Sequence, residues 1–345
     1  VTTINFAIVG LDHWYSALPL ARGLNQHPEA ALRLIVDRDP VRGQTIADEL
    51  GVPFSLSVED ALGSAEIDAV GCFFSVDRNP ELCIAAAAAG KHIVSIKPLA
   101  RTLDEASAIV HAVEQAGVQF VPAESRSRMT EQNQRLFELV RSGRLGQVVS
   151  ANFTLCGVLP RAWEGTESPG WWVEADKAPG GGWIDHAIYQ IDRLRWLLGA
   201  EPIEVLGSVA NLRYPELPVE DYGHAIFTFS DGSVATLEDT WTGADGAWRI
   251  TTTINGTLGS LAMDTTDPGI RILSSGEGGP SWERLAPLDD DSDMIQPLID
   301  RIRGEQNSLG TVRDAWRNLA AARAFYDAAA AGCRRAVPGL PERNS

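Results

Sequence analysis

Between residues 4 and 122 the chain alternates short apolar runs with stretches of helical length, and this rhythm limits the fold more than any other feature. "INFAIVG", "LRLIVD", "AVGCFF", "HIVSI" and "VQFVP" read as strands, with alanine-rich helical segments between them. Strands and helices in regular succession predict a doubly wound parallel sheet with helices on both faces. After a predicted helix over 130–142, closed by Gly143, the character changes. "QVVSANFTLCGVL", "IEVLGSVANL", "HAIFTF" and "SVATLEDTW" read as strands, with Asp231 and Gly232 at a tight hairpin turn. They predict a largely antiparallel sheet, followed by an alanine-rich helix over 310–333. A chain of 345 residues exceeds one ordinary core, so two α/β units are expected, 1–122 and 123–345.

A formal net charge of -17 and a pI near 4.8 repel phosphate backbones and anionic surfaces. Neither nucleic acid nor a membrane is expected as a partner. No window is long enough for a transmembrane span, and "VTTINFAIVG" enters a strand without a basic segment or cleavage site, which reads as a cytoplasmic protein. Cys72, Cys83, Cys156 and Cys333 are far apart and form no CxxC pair, so they are expected to be reduced core residues, with no metal site.

The first strand runs into "VGLDHWYSALPLARGL", where glycines would let the backbone approach a pyrophosphate at a helix start. Only Gly10 is present; Asp12 takes the second glycine's place and Tyr15 the third's. Asp12 has a structural alternative as a helix cap, and His13 is either a phosphate donor or a surface residue in a turn. "LRLIVDRDP" puts Asp37 at the end of the next strand, 27 residues after Gly10. A carboxylate there suits the ribose hydroxyls of NAD, whereas Arg38 beside it suits a 2′-phosphate and keeps NADP open. A solvated charge at a strand end is the plain alternative.

"KHIVSIKPLA" puts Lys97 at the carboxyl end of a parallel strand, the edge at which ligands bind such sheets. "GGWIDHAIYQIDRLRWLLG" reads as a helix whose apolar stripe is Ile184, Ile188, Ile191 and Leu198. Asp185, Tyr189 and Asp192 form a second stripe at i, i+4 and i+7, either a half-exposed flank or part of a site. The segment from Pro160 to Gly182 lacks periodicity and exceeds the ~12–15 residues of an idle loop. Its Trp163, Trp171 and Trp172 offer flat faces to sugar rings, or cover a core edge.

"AGKHIVSIKPLA", "GGGWIDHAIYQIDRLRWLLG", "LVRSGRLGQVVSANF" and "VEDYGHAIFTFSDGSVATLEDTW", in this order, resemble the glucose-fructose oxidoreductase, inositol dehydrogenase and MocA family from about residue 4 to about 338. The resemblance implies an N-terminal Rossmann domain over 1–122. It implies a substrate-binding and oligomerisation domain with an open, mainly antiparallel sheet over 123–345. It implies NAD or NADP held by Gly10, Asp12, His13, Asp37, Arg38 and Lys97. Lys97 matches the family's "EKP" lysine, and Asp185 and Tyr189 match its "DxGxH" motif. The chain departs at Ile96, at Asp12 and Tyr15, and at Tyr189, where most members have histidine and some branches have tyrosine.

The implied activity is hydride transfer between the cofactor and a hydroxyl or carbonyl carbon of a sugar, cyclitol or related polyol. Tyr189 exchanges the proton, Lys97 lowers the phenol pKa and polarises the substrate oxygen, and Asp185 accepts from a neighbouring hydroxyl. Trp163, Trp172 and His186 complete the substrate site, and a homodimer or homotetramer is implied. Two other readings stay open. One is redox-neutral elimination, epimerisation or glycoside cleavage with tightly bound NAD. The other is a non-catalytic sugar or nucleotide sensor, which the altered turn favours and Lys97, Asp185 and Tyr189 oppose.

Overall fold

The computed structural model describes residues 2–276, 279–287 and 292–341. Its first part runs β1 (Ile4–Val9), α1 (Trp14–Gln26), β2 (Ala30–Val36), α2 (Pro40–Leu50), β3 (Phe54–Ser55), α3 (Val58–Leu62), β4 (Ala69–Cys72), α4 (Asn79–Ala88), β5 (His92–Ser95), α5 (Leu103–Ala116) and β6 (Phe120–Pro122). The six strands are all parallel, in the order β3-β2-β1-β4-β5-β6. In β1 Phe6, Ala7, Ile8 and Val9 are all buried, as expected of a strand covered by helices on both faces. The order reverses between β1 and β4, which opens a crevice at their carboxyl ends.

The second part runs α6 (Glu131–Arg141), β7 (Val148–Cys156), α7 (Gly182–Leu198), β8 (Pro202–Ala210), β9 (Tyr222–Phe229), β10 (Val234–Thr240), β11 (Arg249–Gly256), β12 (Gly259–Asp264), β13 (Asp267–Gly276), β14 (Gly279–Leu285), α8 (Gln296–Ile302), α9 (Val312–Ala331) and β15 (Arg335–Ala336). Its nine strands lie in the order β14-β13-β12-β11-β7-β10-β9-β8-β15, antiparallel except for β7 beside β10. The hairpin at Asp231 and Gly232 joins β9 to β10, with Gly232 at φ 88. Strand alternation turns Ala235, Leu237 and Asp239 inward, towards α7. Trp183 of α7 stacks on Phe325 of α9 with ring centroids 3.7 Å apart, at the centre of this second core. α9 also closes the first core, where Trp316 and Leu319 join Ala106 and Ile109 of α5.

Two expectations need correction. All four cysteines are free, but only Cys72 and Cys83 are buried; Cys156 is half-buried and Cys333 is exposed just past the end of α9. Asp12 does not cap α1, whose first turn receives no side-chain bond; its carboxylate accepts from the Ser75 amide and from two arginines instead.

Candidate active site

α7 is seated by close backbone approach. A Cβ on Gly181 would lie 2.1 Å from the Glu220 carbonyl oxygen, and one on Gly182 would lie 2.7 Å from that of Asp221. The Glu220 carboxylate accepts from the Gly181 and Trp183 amides, so a side chain from another segment satisfies the helix start. This docking puts Asp185, in the first turn of α7, opposite the end of β5.

There Lys97, 1% exposed, donates its ammonium to Asp185 Oδ1 at 2.5 Å and to the Asp185 carbonyl. The rings of Trp172, Tyr189 and Tyr15 surround the ammonium with centroids 5.1, 5.3 and 5.7 Å away. A buried cation thus gains a carboxylate and three π faces in place of water. The second oxygen of Asp185 accepts from Trp241 Nε1 at 3.0 Å. Burial opposes ionisation of Asp185, but His186, Lys97 and the indole outweigh it and hold its pKa at about 2. His186 Nδ1 lies 3.4 Å from Asp185 Oδ2, and burial takes the imidazole down to about 4 against the pull of that carboxylate.

The stripe of three polar residues divides. Asp185 and Tyr189 face Lys97, whereas Asp192 is fully buried in a fork from Arg128, 2.7 and 2.5 Å, with Asn318 at 2.9 Å. Glu124 lies beside it, and burial with the Asp192 charge raises Glu124 to about 7. Asp192 therefore ties α7 to α9 and to the turn before α6. Burial, Asp185 and Glu124 push the Tyr189 phenol well up, with Arg126 opposing. The expected lowering by Lys97 is not what this geometry gives, because that ammonium is already paired with Asp185. The Tyr189 phenol therefore keeps its proton.

Beside this pair opens a cavity of about 370 Å³ lined by Trp14, Tyr15, Trp172, Asp185, His186 and Trp248, among others. The long segment after Pro160 builds one wall by folding over α1: Trp14 Nε1 donates to the Arg161 carbonyl and Trp171 Nε1 to that of Asp12. Trp163 lies outside that lining, against Trp14 and under the Arg42 guanidinium. Tyr15, Trp248, Trp241 and Asp239 were not singled out in the sequence as site residues. They come from three separate places in the chain, Asp239 and Trp241 lying two residues apart at the end of β10, and only Tyr15, filling a glycine's place, carried any signal.

At the turn after β1, Gly10 has φ +87, and a Cβ there would meet the Phe74 amide nitrogen at 2.5 Å. Asp12 pairs with Arg38 at 2.8 Å and Arg42 at 3.0 Å. Asp37 is fully buried, with both oxygens in the fork of Arg42 at 2.6 and 2.7 Å and Oδ1 also accepting from the Arg38 amide. Arg38 has a side chain 43% exposed and lies 5.3 Å from the Phe74 ring. His13 is buried between Trp171 and Trp172, its Nδ1–H donates to the Phe74 carbonyl, and its Nε2 has no partner among the described residues. Burial and the Lys97 charge bring it down to about 3, so it is neutral. Among the described residues no cluster could hold a metal, and no helix is long and apolar enough to cross a membrane.

Residues 4–124 match the family model described as oxidoreductase family, NAD-binding Rossmann fold, and residues 133–262 match the GFO/IDH/MocA C-terminal domain. The 1,5-anhydro-D-fructose reductase of Ensifer adhaerens is 28% identical over 84% of this chain and 86% of its own length. The 2,7-anhydro-N-acetylneuraminate hydratase of Escherichia coli is 30% identical over 79% and 71%. A solved levoglucosan dehydrogenase in complex with NADH and L-sorbose superposes with a TM-score of 0.85 at 20% identity, over 99% of this chain and 100% of that one. The chain belongs to the glucose-fructose oxidoreductase, inositol dehydrogenase and MocA family of NAD-binding oxidoreductases.

Proposed function

We propose that the chain interconverts a hydroxyl and a carbonyl carbon of a ring sugar, cyclitol or related polyol, with Lys97, Asp185 and Tyr189 handling the reacting oxygen. The observation that carries this is the buried Lys97–Asp185 pair at the carboxyl edge of β5, beside a cavity walled by indoles. Trp172 and Trp248 offer flat faces to the C–H side of a ring, while Asp185 and His186 offer polar edges to its hydroxyls. Relatives named for 1,5-anhydro-D-fructose and levoglucosan support a cyclic substrate.

The turn after β1 suits NAD or NADP. No side chain caps α1, which leaves its first amides for a pyrophosphate. Asp12 is already neutralised by Arg38 and Arg42, so it does not repel an anion bound at this turn. A nicotinamide held by this turn would supply or take up the hydride. Lys97 spends two of its three N–H donors on Asp185 and keeps one for the reacting oxygen. Asp185 holds that ammonium in place, and in the reductive direction Tyr189 gives its proton to the oxygen as negative charge develops there. The hydratase relative favours a second reading, redox-neutral chemistry on the same groups; turnover without net change in nicotinamide absorbance would identify it.

The test follows nicotinamide absorbance with a panel of pyranosides and their keto derivatives. Tyr189→Phe keeps the ring and should cut turnover by ~10²-fold or more. Lys97→Met should do the same, and the two losses should not add because both act on one proton transfer. Intact turnover in Tyr189→Phe would move the proton transfer to His186.

A further inference from the structure

Asp239 takes no part in the chemistry above. It sits on the inner face of β10, one pleat on from Leu237, and is 1% exposed. Neither of its carboxyl oxygens has a hydrogen-bond partner among the described residues. His186 Nδ1 lies 3.8 Å from Asp239 Oδ1 and 3.4 Å from Asp185 Oδ2, so that edge of the ring is turned to two carboxyl groups. The opposite edge, carrying Nε2, is left for the cavity, where the ring meets Trp248 edge to face at 4.9 Å. Ionisation is costly for a carboxyl buried this deeply beside another carboxylate, and the group keeps its proton. Burial is the main cause, and the charges of Asp185 and Glu220 reinforce it. Lys97 and the neighbouring Thr240 amide oppose without prevailing, and the carboxyl is held well above its ordinary range. A neutral imidazole therefore stands between a stored proton and the cleft.

We propose that Asp239 and His186 form a proton relay that recharges Tyr189 while substrate closes the cleft. The relay rests on the reading of Tyr189 as the proton donor in reduction. Once the phenol has given up its proton, a phenolate remains next to Lys97 and must regain a proton before the next turnover. His186 lies alongside, with ring centroids 6.4 Å apart. Its Nε2–H bond breaks to restore the phenol O–H, through a substrate hydroxyl or one cavity water. As it does so, Nδ1 takes the Asp239 proton across a gap that closes from 3.8 Å. The imidazole ends neutral, with Nδ1–H facing two carboxylates, and the negative charge ends on Asp239. When product leaves, cavity water protonates Nε2 as the Nδ1 proton returns to Asp239, which restores both groups. No electrons move in the relay, and no co-reactant is needed.

Asp239→Asn keeps the shape and removes the stored proton, and two measurements on the full chain read the result. The first is thermal unfolding from pH 5 to pH 8. A carboxyl whose pKa is raised by folding stabilises the folded state at low pH and loses that contribution as pH rises, so the asparagine variant should gain on wild type with increasing pH. Infrared difference spectra should show a protonated-carboxyl band that the variant lacks. A melting difference that does not change with pH, with no such band, overturns the stored proton and the relay with it.

The second measurement is stopped-flow reduction of a methyl 3-ketoglucopyranoside with reduced cofactor. Asp239→Asn should keep the first turnover within about twofold while steady state falls on the order of tenfold. His186→Gln should show the steady-state loss, partly restored by added imidazole. Unchanged steady state in both variants overturns the relay. No first turnover by wild type overturns the hydride-transfer reading instead, and the unfolding and infrared results then decide whether Asp239 holds its proton.

Discussion

Asp37 and Arg38 stand side by side at the end of β2 and have opposite surroundings. The Asp37 carboxylate has no accessible surface and is consumed by Arg42, whereas Arg38 presents its guanidinium to solvent beside Phe74. Asp37→Ala leaves Arg42 half-paired in a buried place, so the expected effect is on the fold, a loss on the order of 3 kcal/mol in chemical denaturation. Arg38→Ala should leave the fold alone, because Asp12 keeps Arg42 and the Ser75 amide. If Arg38 reads the adenosine ribose, this variant should weaken NADP about tenfold more than NAD in calorimetric titration. Equal weakening of both cofactors would return that role to another group. Strand patterning placed Asp37 at the β2 end, but the partner that buries it sits five residues on, in the first turn of α2, and no pattern within the strand announces it.

At the scale of elements, α7 depends on backbone contact that only glycine permits. Gly181→Ala drives a methyl into the Glu220 carbonyl, and the helix can escape only by shifting. The expected cost is about 1–3 kcal/mol in unfolding, with turnover falling further than stability because Asp185 leaves Lys97; melting curves and rates on one preparation separate the two. Much of this element was legible: the glycine entry, the apolar stripe and the shared face of Asp185 and Tyr189 all follow from helical spacing. The role of Asp192 was not, since its partners Arg128 and Asn318 lie 64 and 126 residues away. The parallel sheet was readable because its strands are apolar on both faces. The run β11 to β14 was not read, because stretches such as "ITTTING" carry threonines on both faces, Thr252 inward and Thr251 and Thr253 outward, and give little hydrophobic contrast. Asp239 lay in a strand identified from sequence, yet its meaning depends on α7 crossing beneath it.

For the whole molecule, the outer face of the nine-stranded sheet carries Asn152, Thr236 and Thr253 in register across β7, β10 and β11, with Ile226 opposite Thr236 on β9. The family resemblance implies a second copy on this face. Light scattering should then give a multiple of 37.2 kDa, and Ile226→Glu should shift it towards the single chain; a single-chain mass for the unaltered protein would contradict that pairing. The end of β5 meets the start of α7 at Lys97 and Asp185, and the proposed hydride and proton exchange takes place there. The most direct measurement is single-turnover nicotinamide absorbance on a panel of ring sugars and their keto derivatives, comparing wild type with Asp185→Asn. Wild type should give a cofactor-dependent absorbance change, and the variant a rate at least ~10²-fold lower with cofactor affinity preserved. Equal rates in the two proteins would contradict the proposed exchange.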